Sequence, residues 1–307
     1  MIEKVSFSQV IERIQFENFW WNHNRIEEDY FNMERRLYFE IFKPMVLNNE
    51  IKRAVVLMGP RRVGKTVLLH HTVQELIDNG VSPRKIIFIT VENPIYINIG
   101  LEELFKLALK SLGTEETKGF YVFFDEIQYL KDWEIHLKTL VDSYRNTKFV
   151  VSGSAAAALK FKSNESGAGR FTDFLLPPLT FYEYIHINKL SHLMQESTLL
   201  WQNKTIPFYD TLQPKLLNEH FVKYINYGGY PEIIFSPQMQ LNPGRYIKQD
   251  IVDKVLLRDL PSLYGIKDVQ ELNRLFTTIC FNTAHEFDYE ELSRTSGVKK
   301  HLIKTYI

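Results

Sequence analysis

The stretch Gly59-Pro60-Arg61-Arg62-Val63-Gly64-Lys65-Thr66 decides the fold of this 307-residue chain. It fits the pattern G-x-x-x-x-G-K-[ST] of a phosphate-binding loop. The apolar run from Ala54 to Met58 leads into it, and a helical pattern of apolar residues starts at Val67. Between a strand and a helix, such a loop turns successive backbone N–H groups toward a phosphate at the amino terminus of the helix. The sequence therefore predicts a nucleotide phosphate site here.

Two side chains of this loop have chemical roles in that prediction. The Lys65 ammonium is expected on the β and γ phosphates, and the Thr66 hydroxyl on Mg²⁺. The chain has no guanine-reading N-K-x-D motif, which favours ATP as the nucleotide. We expect the nucleotide to contact a run of consecutive residues: Gly59, Pro60, Arg61, Arg62, Val63, Gly64, Lys65, Thr66 and Val67.

A second motif ends the apolar run that starts at Phe120, because Asp125 and Glu126 follow it directly. An acid at the carboxyl end of a sheet strand beside a nucleotide holds Mg²⁺, so Asp125 joins Thr66 as a predicted metal ligand. A second carboxylate there can deprotonate the attacking water, and we assign that task of general base to Glu126. The alternative for both acids is a solvated turn at the end of a strand.

Three further residues are candidates for contact with the γ-phosphate. Ser152 and Ser154 end a fourth apolar run, where a hydroxyl can bond the γ-phosphate or water, although serine is also common in strand-to-helix turns. Arg170 follows the loop-like segment 163–169 and is a candidate arginine finger for its own site or a neighbouring copy's, with a surface role as the alternative. For His70 and His71 we expect packing or solubility rather than catalysis.

Apolar runs and helical patterns alternate along residues 54–151 and predict an α/β fold. Runs at 54–58, 86–89, 120–124 and 149–151 have the length of buried strands, and amphipathic helical patterns separate them. This alternation predicts βαβ crossovers in a doubly wound parallel sheet. After residues 177–178, both proline, the strand runs stop, and the pattern Thr180 to Glu183 is a capping box that starts a mostly α-helical region. The predicted divisions are an N-terminal helical segment (1–45), a nucleotide-binding core (46–179), a helical region (180–262) and a C-terminal segment (263–307).

Composition indicates a folded protein of a reducing compartment. Hydrophobic residues make up 45% of the chain and charged residues 24%, which excludes fibrous and disordered classes. Lys plus Arg and Asp plus Glu number 37 each, so no global positive field attracts nucleic acid or a membrane. The single cysteine, Cys280, excludes an internal disulfide. Without a signal peptide or a long apolar run, we expect a cytoplasmic protein that does not contact a membrane.

Five motifs, in one order along the chain, resemble those of a known family. They are GPRRVGKT, FFDEIQYL followed by Trp133, VVSGS, GRF before LPPLTFYEY, and YGGYPE at Tyr227 to Glu232. Residues 52–307 thereby resemble the bacterial and archaeal AAA-like ATPases that carry a C-terminal domain of unknown function. The resemblance implies a P-loop NTPase core of the ASCE type, with a catalytic glutamate at Glu126 beside the Walker B aspartate Asp125. It also implies a winged-helix-like DNA-binding domain after the helical region.

Both ends of the chain depart from that family pattern. The segment before Lys52 is longer and more aromatic, which leaves the adenine contacts unassigned. Residues 289–307 indicate a helix, a turn and a second helix, with Lys299, Lys300 and Lys304 on or near the second helix. The sequence stops before any wing hairpin, so we expect a partial winged-helix-like motif that contacts double-stranded DNA. An ordinary helix pair with solvated lysines has equal weight.

These observations lead to one functional prediction and a rival. We expect hydrolysis of ATP with Mg²⁺ by in-line attack of water, coupled to a conformational change. The rival is a slow nucleotide-dependent switch or a DNA-binding regulator with little turnover. Phosphoryl transfer to a small molecule is disfavoured, because Glu126 is placed to act on water. Assembly into a homo-oligomer is left open.

Overall fold

The computed structural model describes residues 6–154, 169–261, 266 and 268–306 of the chain. They form two compact units that divide between Pro243 and Gly244. The first unit is built on a parallel sheet of five strands in the order β2-β3-β4-β1-β5. The strands are β1 (Ala54–Gly59), β2 (Ile86–Thr90), β3 (Tyr121–Asp125), β4 (Lys148–Ser154) and β5 (Phe171–Leu175). The predicted α/β fold with a parallel sheet is confirmed.

Helices of the first unit precede the sheet, alternate with its strands and follow it. They are α1 (Phe7–Glu17), α2 (Trp20–His23), α3 (Glu28–Phe31), α4 (Phe39–Leu47), α5 (Lys65–Asp78), α6 (Leu101–Ser111), α7 (Trp133–Ser143), α8 (Phe181–Ile187), α9 (Pro214–Tyr227), α10 (Pro231–Phe235) and α11 (Pro237–Gln240). Short 3₁₀ turns lie at Pro83–Lys85, Pro94–Tyr96, Ile127–Tyr129 and Ser191–Leu193. The predicted capping box of Thr180 and Glu183 starts α8.

The sheet forms the centre of the core, because every residue of β1, β3 and β4 is buried. Burial on both faces explains why these strands are continuous apolar runs. Their carboxyl ends meet at one edge of the sheet, where Gly59 lies beside Ser154 and Thr90 beside Asp125. The loop after β1 and the acids at the end of β3 are therefore neighbours.

The aromatic N-terminal segment covers the free edge of β2. The Asn18 amide donates to the Phe88 carbonyl at 2.8 Å and accepts from the Phe88 N–H at 2.7 Å. The indole N–H groups of Trp20 and Trp21 both donate to the Ile86 carbonyl, at 3.1 and 2.7 Å. These bonds satisfy backbone groups that an open sheet edge leaves unpaired. The segment also packs on the core, because Val10, Ile14 and Trp20 belong to the main buried cluster.

Two parts of the sequence prediction need correction. The fifth strand, β5, was not predicted, because its burial alternates instead of running continuously. The region after residue 178 is not free of strands, since β6 (Gln195–Trp201) and β7 (Lys204–Asp210) form an antiparallel hairpin. Almost every hairpin residue is exposed, so the apolar signal of a buried strand is missing there.

The second unit is helical in the part that the structure describes. Helix α12 (Pro243–Tyr246) and the π-helical turns Ile247–Val252 and Val255–Asp259 lead to α13 (Val269–Phe281), α14 (Tyr289–Ser296) and α15 (Lys300–Tyr306). A cluster of Leu275, Leu292, Val298 and Ile303 packs these last three helices together. Gly297, with φ of 70°, makes the turn between α14 and α15. The predicted helix, turn and helix are confirmed, and their winged-helix-like character stays a prediction.

Among the described helices of both units, none combines the length and the apolar character that crossing a bilayer requires.

Candidate nucleotide site

The loop between β1 and α5 has the backbone geometry that the phosphate-binding pattern requires. Arg62 and Gly64 adopt positive φ angles of 64° and 91°, which turn the chain sharply before α5. A Cβ atom on Gly59 would lie 2.3 Å from the Leu176 carbonyl oxygen. Only glycine fits at that position, because a backbone oxygen has no room to move.

Lys65 and Thr66 begin α5 and point toward groups at the sheet edge. The Lys65 ammonium donates to the carbonyls of Gly59 at 3.1 Å and Pro60 at 2.9 Å. The Thr66 hydroxyl donates to the Asp125 carboxylate at 2.7 Å. The structure therefore brings together the two residues that the sequence predicts as metal ligands.

Asp125 is fully surrounded by protein. Burial raises the pKa of its carboxyl, and the neighbouring negative charge of Glu126 adds to that effect. Hydrogen bonds from Ser152 and Thr66 oppose the rise. The buried Ser152 hydroxyl donates to the second Asp125 oxygen. Ser152 thus orients the metal-ligand candidate.

The donor set suits Mg²⁺ held together with a nucleotide. Mg²⁺ prefers oxygen ligands and binds through one or two protein groups plus phosphates and water. Thr66 and Asp125 supply one hydroxyl and one carboxylate at hydrogen-bonding distance. In the described part of the chain, no group of three or more His, Cys, Asp or Glu residues is arranged to hold a metal ion.

Glu126 lies at the end of β3 in a strained backbone conformation, with φ of 57°. Its N–H donates to the Ser152 hydroxyl at 3.2 Å. Its carboxylate accepts a hydrogen bond from the amide of Gln128. The other end of that amide accepts the Ser154 N–H at 3.1 Å. Gln128 therefore ties the candidate general base to the end of β4, a role that the sequence analysis missed.

Arg170 lies at the opposite edge of the sheet from the phosphate loop. Its carbonyl accepts the N–H of Ala54, the first residue of β1, whereas the loop follows the last residue, Gly59. Since β1 has six residues, the two edges are roughly 15–20 Å apart. The Arg170 guanidinium pairs with Asp142 at 2.8 Å. The structure does not bring Arg170 to the site of its own chain, and an action on a neighbouring copy stays a prediction.

Two ion pairs join the phosphate loop to the helical region that follows the sheet. Arg62 pairs with Glu232, the last residue of the YGGYPE motif, at 2.7 Å. Buried Arg36 donates to the Val63 carbonyl at 2.6 Å and to both carboxylate oxygens of Glu183, at 2.8 and 3.0 Å. No local sequence pattern predicts either ion pair, because the two residues of each pair are 170 and 147 positions apart in the chain.

A cavity of about 600 Å³ adjoins this network. Its lining includes residues 31–37 and His71 of α5. The N-terminal segment that covers the sheet edge thus also walls this cavity, and Arg36 in its lining donates to the Val63 carbonyl of the phosphate loop.

Comparison with known proteins relates two regions of the chain to family models. Residues 51–185 match the family model described as an AAA domain. This part of the chain is similar to an AAA domain. Residues 218–307 match a model described as a domain of unknown function. The resemblance that five sequence motifs predict is confirmed in both regions.

Similar proteins come from bacteria and archaea. An uncharacterized protein of Haemophilus influenzae is 23% identical over 257 residues, which cover 82% of this chain and 58% of that protein. The uncharacterized protein MJ1544 of Methanocaldococcus jannaschii is 25% identical over 257 residues, which cover 82% of this chain and 53% of that protein. The chain thus spans little more than half the length of these curated relatives.

Solved structures were compared with this chain as well. ORC2 of Aeropyrum pernix, determined as ADPNP-ADP complexes, has a TM-score of 0.50 at 13% identity and covers 91% of this chain and 87% of that one. The ADP complex of Hsp104 from S. cerevisiae has a TM-score of 0.45 at 16% identity, covering 89% of this chain and 38% of that one. The similarity to ORC2 supports a P-loop NTPase fold for this chain.

Proposed function

We propose that this chain binds ATP with Mg²⁺ at residues 59–67 and hydrolyses it by attack of a water molecule that Glu126 deprotonates. One observation carries the proposal. Glu126 directly follows the buried metal-ligand candidate Asp125, and Gln128 holds its carboxylate at the edge where β3 and β4 end. A carboxylate fixed beside the predicted phosphate site is suited to general-base catalysis.

Each remaining residue of the site has a task in this proposal. Lys65 leaves the loop carbonyls to neutralise β- and γ-phosphate charge. Thr66 and Asp125 hold Mg²⁺, which when bound supplies positive charge to the phosphate oxygens. Ser152 keeps Asp125 oriented through its hydroxyl. The cavity beside α5 has the volume for the base and ribose.

The ion pairs between the phosphate loop and the helical region support coupling of hydrolysis to a conformational change. A phosphate that draws Arg62 toward itself competes with Glu232 for the same guanidinium. Arg36 transmits a shift of Val63 directly to Glu183 at the start of α8. The rival function, a switch with slow hydrolysis, uses the same contacts and differs in turnover alone.

The experiment compares Glu126→Gln and Lys65→Ala with the wild type. Glu126→Gln keeps the side-chain size but cannot accept a proton, so turnover should fall by roughly 10²–10⁴-fold while labelled ATP binds as tightly as before. Lys65→Ala should lose ATP binding. Mg²⁺-ATP at about 100 times its dissociation constant should stabilise the wild type by about 2.7 kcal/mol and leave Lys65→Ala unchanged.

Each variant has an outcome that contradicts the proposal. Unchanged turnover in Glu126→Gln removes Glu126 from the reaction. An equal shift of the melting temperature in Lys65→Ala and the wild type would contradict ATP binding at the phosphate loop. Wild-type protein that binds ATP with negligible turnover supports the switch instead.

Contact with duplex DNA through α14 and α15 is a second candidate function. The helix pair joined by Gly297 is the observation that favours it, since a second helix of such a pair can enter a major groove. Lys299 and Lys304 are exposed near or on α15, whereas Lys300 pairs with Glu290 at 2.6 Å. The salt dependence of duplex binding, measured with and without these three lysines, tests this contact.

A further inference from the structure

A second cavity, of about 630 Å³, lies at the amino ends of strands β1 to β4. Arg53 precedes β1, Lys85 precedes β2, and Tyr121 and Lys148 begin β3 and β4. Because the strands are parallel, this edge is the one opposite the phosphate loop. We call this cavity with its lining residues the amino-edge basin.

The amino-edge basin carries a strong positive charge in a chain that is neutral overall. Its lining contains one acid, Glu116, which pairs with Lys85 at 2.8 Å. The remaining cations of the lining make no ion pair with an acid among the residues that the structure describes. They are Lys52, Arg53, Lys118, Arg145 and Lys148.

Lys148 shows that this charge reaches into the protein. The residue is only 6% exposed, and its ammonium donates to the carbonyls of Asn48 at 3.0 Å and Ile51 at 3.4 Å. Burial, together with the nearby charge of Lys52, lowers the pKa of this ammonium to about 8. A buried cation beside other cations costs stability, and a bound anion removes that cost.

The shape of the amino-edge basin selects the kind of anion. Its cations come from separate chain segments and surround a cavity in the size range of small-ligand sites. The rings of Phe120 and Tyr121 in the lining are buried, at 2% and 6% exposed. They offer no face on which the bases of a single strand stack. A duplex is too wide to enter the cavity and reach Lys148.

We propose that the amino-edge basin binds a compact phosphorylated anion, at a site separate from the phosphate loop. Several clustered ammonium and guanidinium groups match the several oxygens of linked phosphates, with arginine able to bind two oxygens at once. The basin lies on the far side of the sheet from the proposed ATP site, so both can be filled together.

The test measures binding of sodium tripolyphosphate to the full chain by titration calorimetry, without nucleotide or Mg²⁺. We expect two sites in the wild type and one, the basin, in Lys65→Ala. Adding Lys52→Ala and Arg145→Ala to Lys65→Ala should weaken the remaining site at least about tenfold, because two charge-assisted contacts are lost. Both positions are exposed, so the fold should tolerate the changes.

A matched control removes the same charge elsewhere. Lys215→Ala with Lys223→Ala, both exposed on α9, should leave the affinity of the Lys65→Ala protein unchanged. The proposal is overturned if the basin variant binds tripolyphosphate as before, or if the control weakens binding equally. It is also overturned if Lys65→Ala does not bind tripolyphosphate but binds a duplex oligonucleotide through Lys52 and Arg145. That result would make the basin a nucleic-acid surface.

Discussion

Gln128 is the residue on which the geometry of the proposed general base depends. One end of its amide binds the Glu126 carboxylate and the other accepts the Ser154 N–H. A methyl group on Gly153 would lie 3.2 Å from the same amide oxygen, so the side chain is confined on that side as well. An amide confined in this way fixes the direction of the carboxylate that it contacts.

Replacing Gln128 should slow hydrolysis without weakening nucleotide binding. Gln128→Leu keeps the bulk of the side chain but removes both hydrogen bonds, so Glu126 samples positions that do not face the attacking water. We expect turnover to fall about tenfold and the dissociation constant for ATP to change less than twofold. Steady-state turnover and equilibrium binding in the same preparation measure the two effects.

The control for this positioning role is an exposed glutamine. Gln213→Leu, before α9, should change neither quantity. If Gln128→Leu weakens ATP binding and turnover together, or lowers the melting temperature enough to account for the loss, Gln128 supports the fold of the edge rather than the direction of Glu126.

Single residues of the site differ in how well the sequence predicts them. Lys65, Thr66 and Asp125 belong to local sequence motifs that predict a nucleotide site when they follow the end of a strand. Gln128 belongs to none, since a glutamine acts through whichever partners the fold places near it. Ser152 is a candidate contact of the γ-phosphate or water. In the structure its hydroxyl donates to Asp125, and the contact with phosphate or water stays a prediction.

At the scale of elements, α5 packs against the N-terminal segment through His70. The ring stacks on Tyr30 with centroids 3.8 Å apart and lies 4.7 Å from the ring of Phe88. Burial, with a smaller contribution from His71, lowers the pKa of His70 to about 3. Its Nδ1 atom makes no hydrogen bond with any residue that the structure describes, so the neutral ring packs as an aromatic residue. The packing role predicted for His70 is confirmed.

This burial should make the contact between α5 and the N-terminal segment sensitive to acid. The unfolded chain binds a proton at His70 below pH 6.5, whereas the native chain does so only near pH 3. Stability is therefore lost as pH falls through that window, by about 2 kcal/mol at pH 5 relative to pH 7.5. His70→Phe keeps the ring packing and lacks the proton, so the variant should gain that amount over wild type on acidification.

Urea unfolding at pH 7.5 and pH 5 measures this difference. His23→Phe changes an exposed ring and serves as the control, with no pH-dependent gain. A constant difference between His70→Phe and wild type across both pH values would contradict the burial of a neutral His70.

The elements that the sequence predicts well are those buried on both faces. β1 to β4 are continuous apolar runs, and their positions follow from that pattern. β5 is partly exposed, and only Phe171 and Phe174 are buried in it. The hairpin of β6 and β7 turns at Gln202 and Asn203, both with positive φ. That two-residue turn between runs rich in Thr, Ile, Phe and Trp was the available signal.

At the scale of the whole molecule, neutrality confines any contact with phosphates to local groups of cations. The second unit offers Lys299 and Lys304, with Lys300 partly neutralised by Glu290. If duplex DNA binds there, affinity should be weak and fall steeply with salt. Replacing Lys299, Lys300 and Lys304 by Ala should reduce the slope of log affinity against log salt by up to about 3.

Fluorescence anisotropy of a labelled duplex between low and moderate salt measures this slope. The matched variant replaces Lys204, Lys215 and Lys223, which are exposed in the first unit, and should bind like the wild type. DNA affinity that does not change with salt concentration, or that is unchanged without the three C-terminal lysines, would assign DNA contact to another surface.

The buried pair of Arg36 and Glu183 sets a limit on how small an independently folding fragment can be. The family match of the AAA domain covers residues 51–185, and a fragment cut to it keeps Glu183 but lacks Arg36. A buried carboxylate that loses its paired cation destabilises a fold by about 3–5 kcal/mol, a large part of the stability of an ordinary domain. The same cut uncovers the edge of β2, which Asn18, Trp20 and Trp21 otherwise occupy. The region of sequence similarity is therefore smaller than the unit that folds cooperatively.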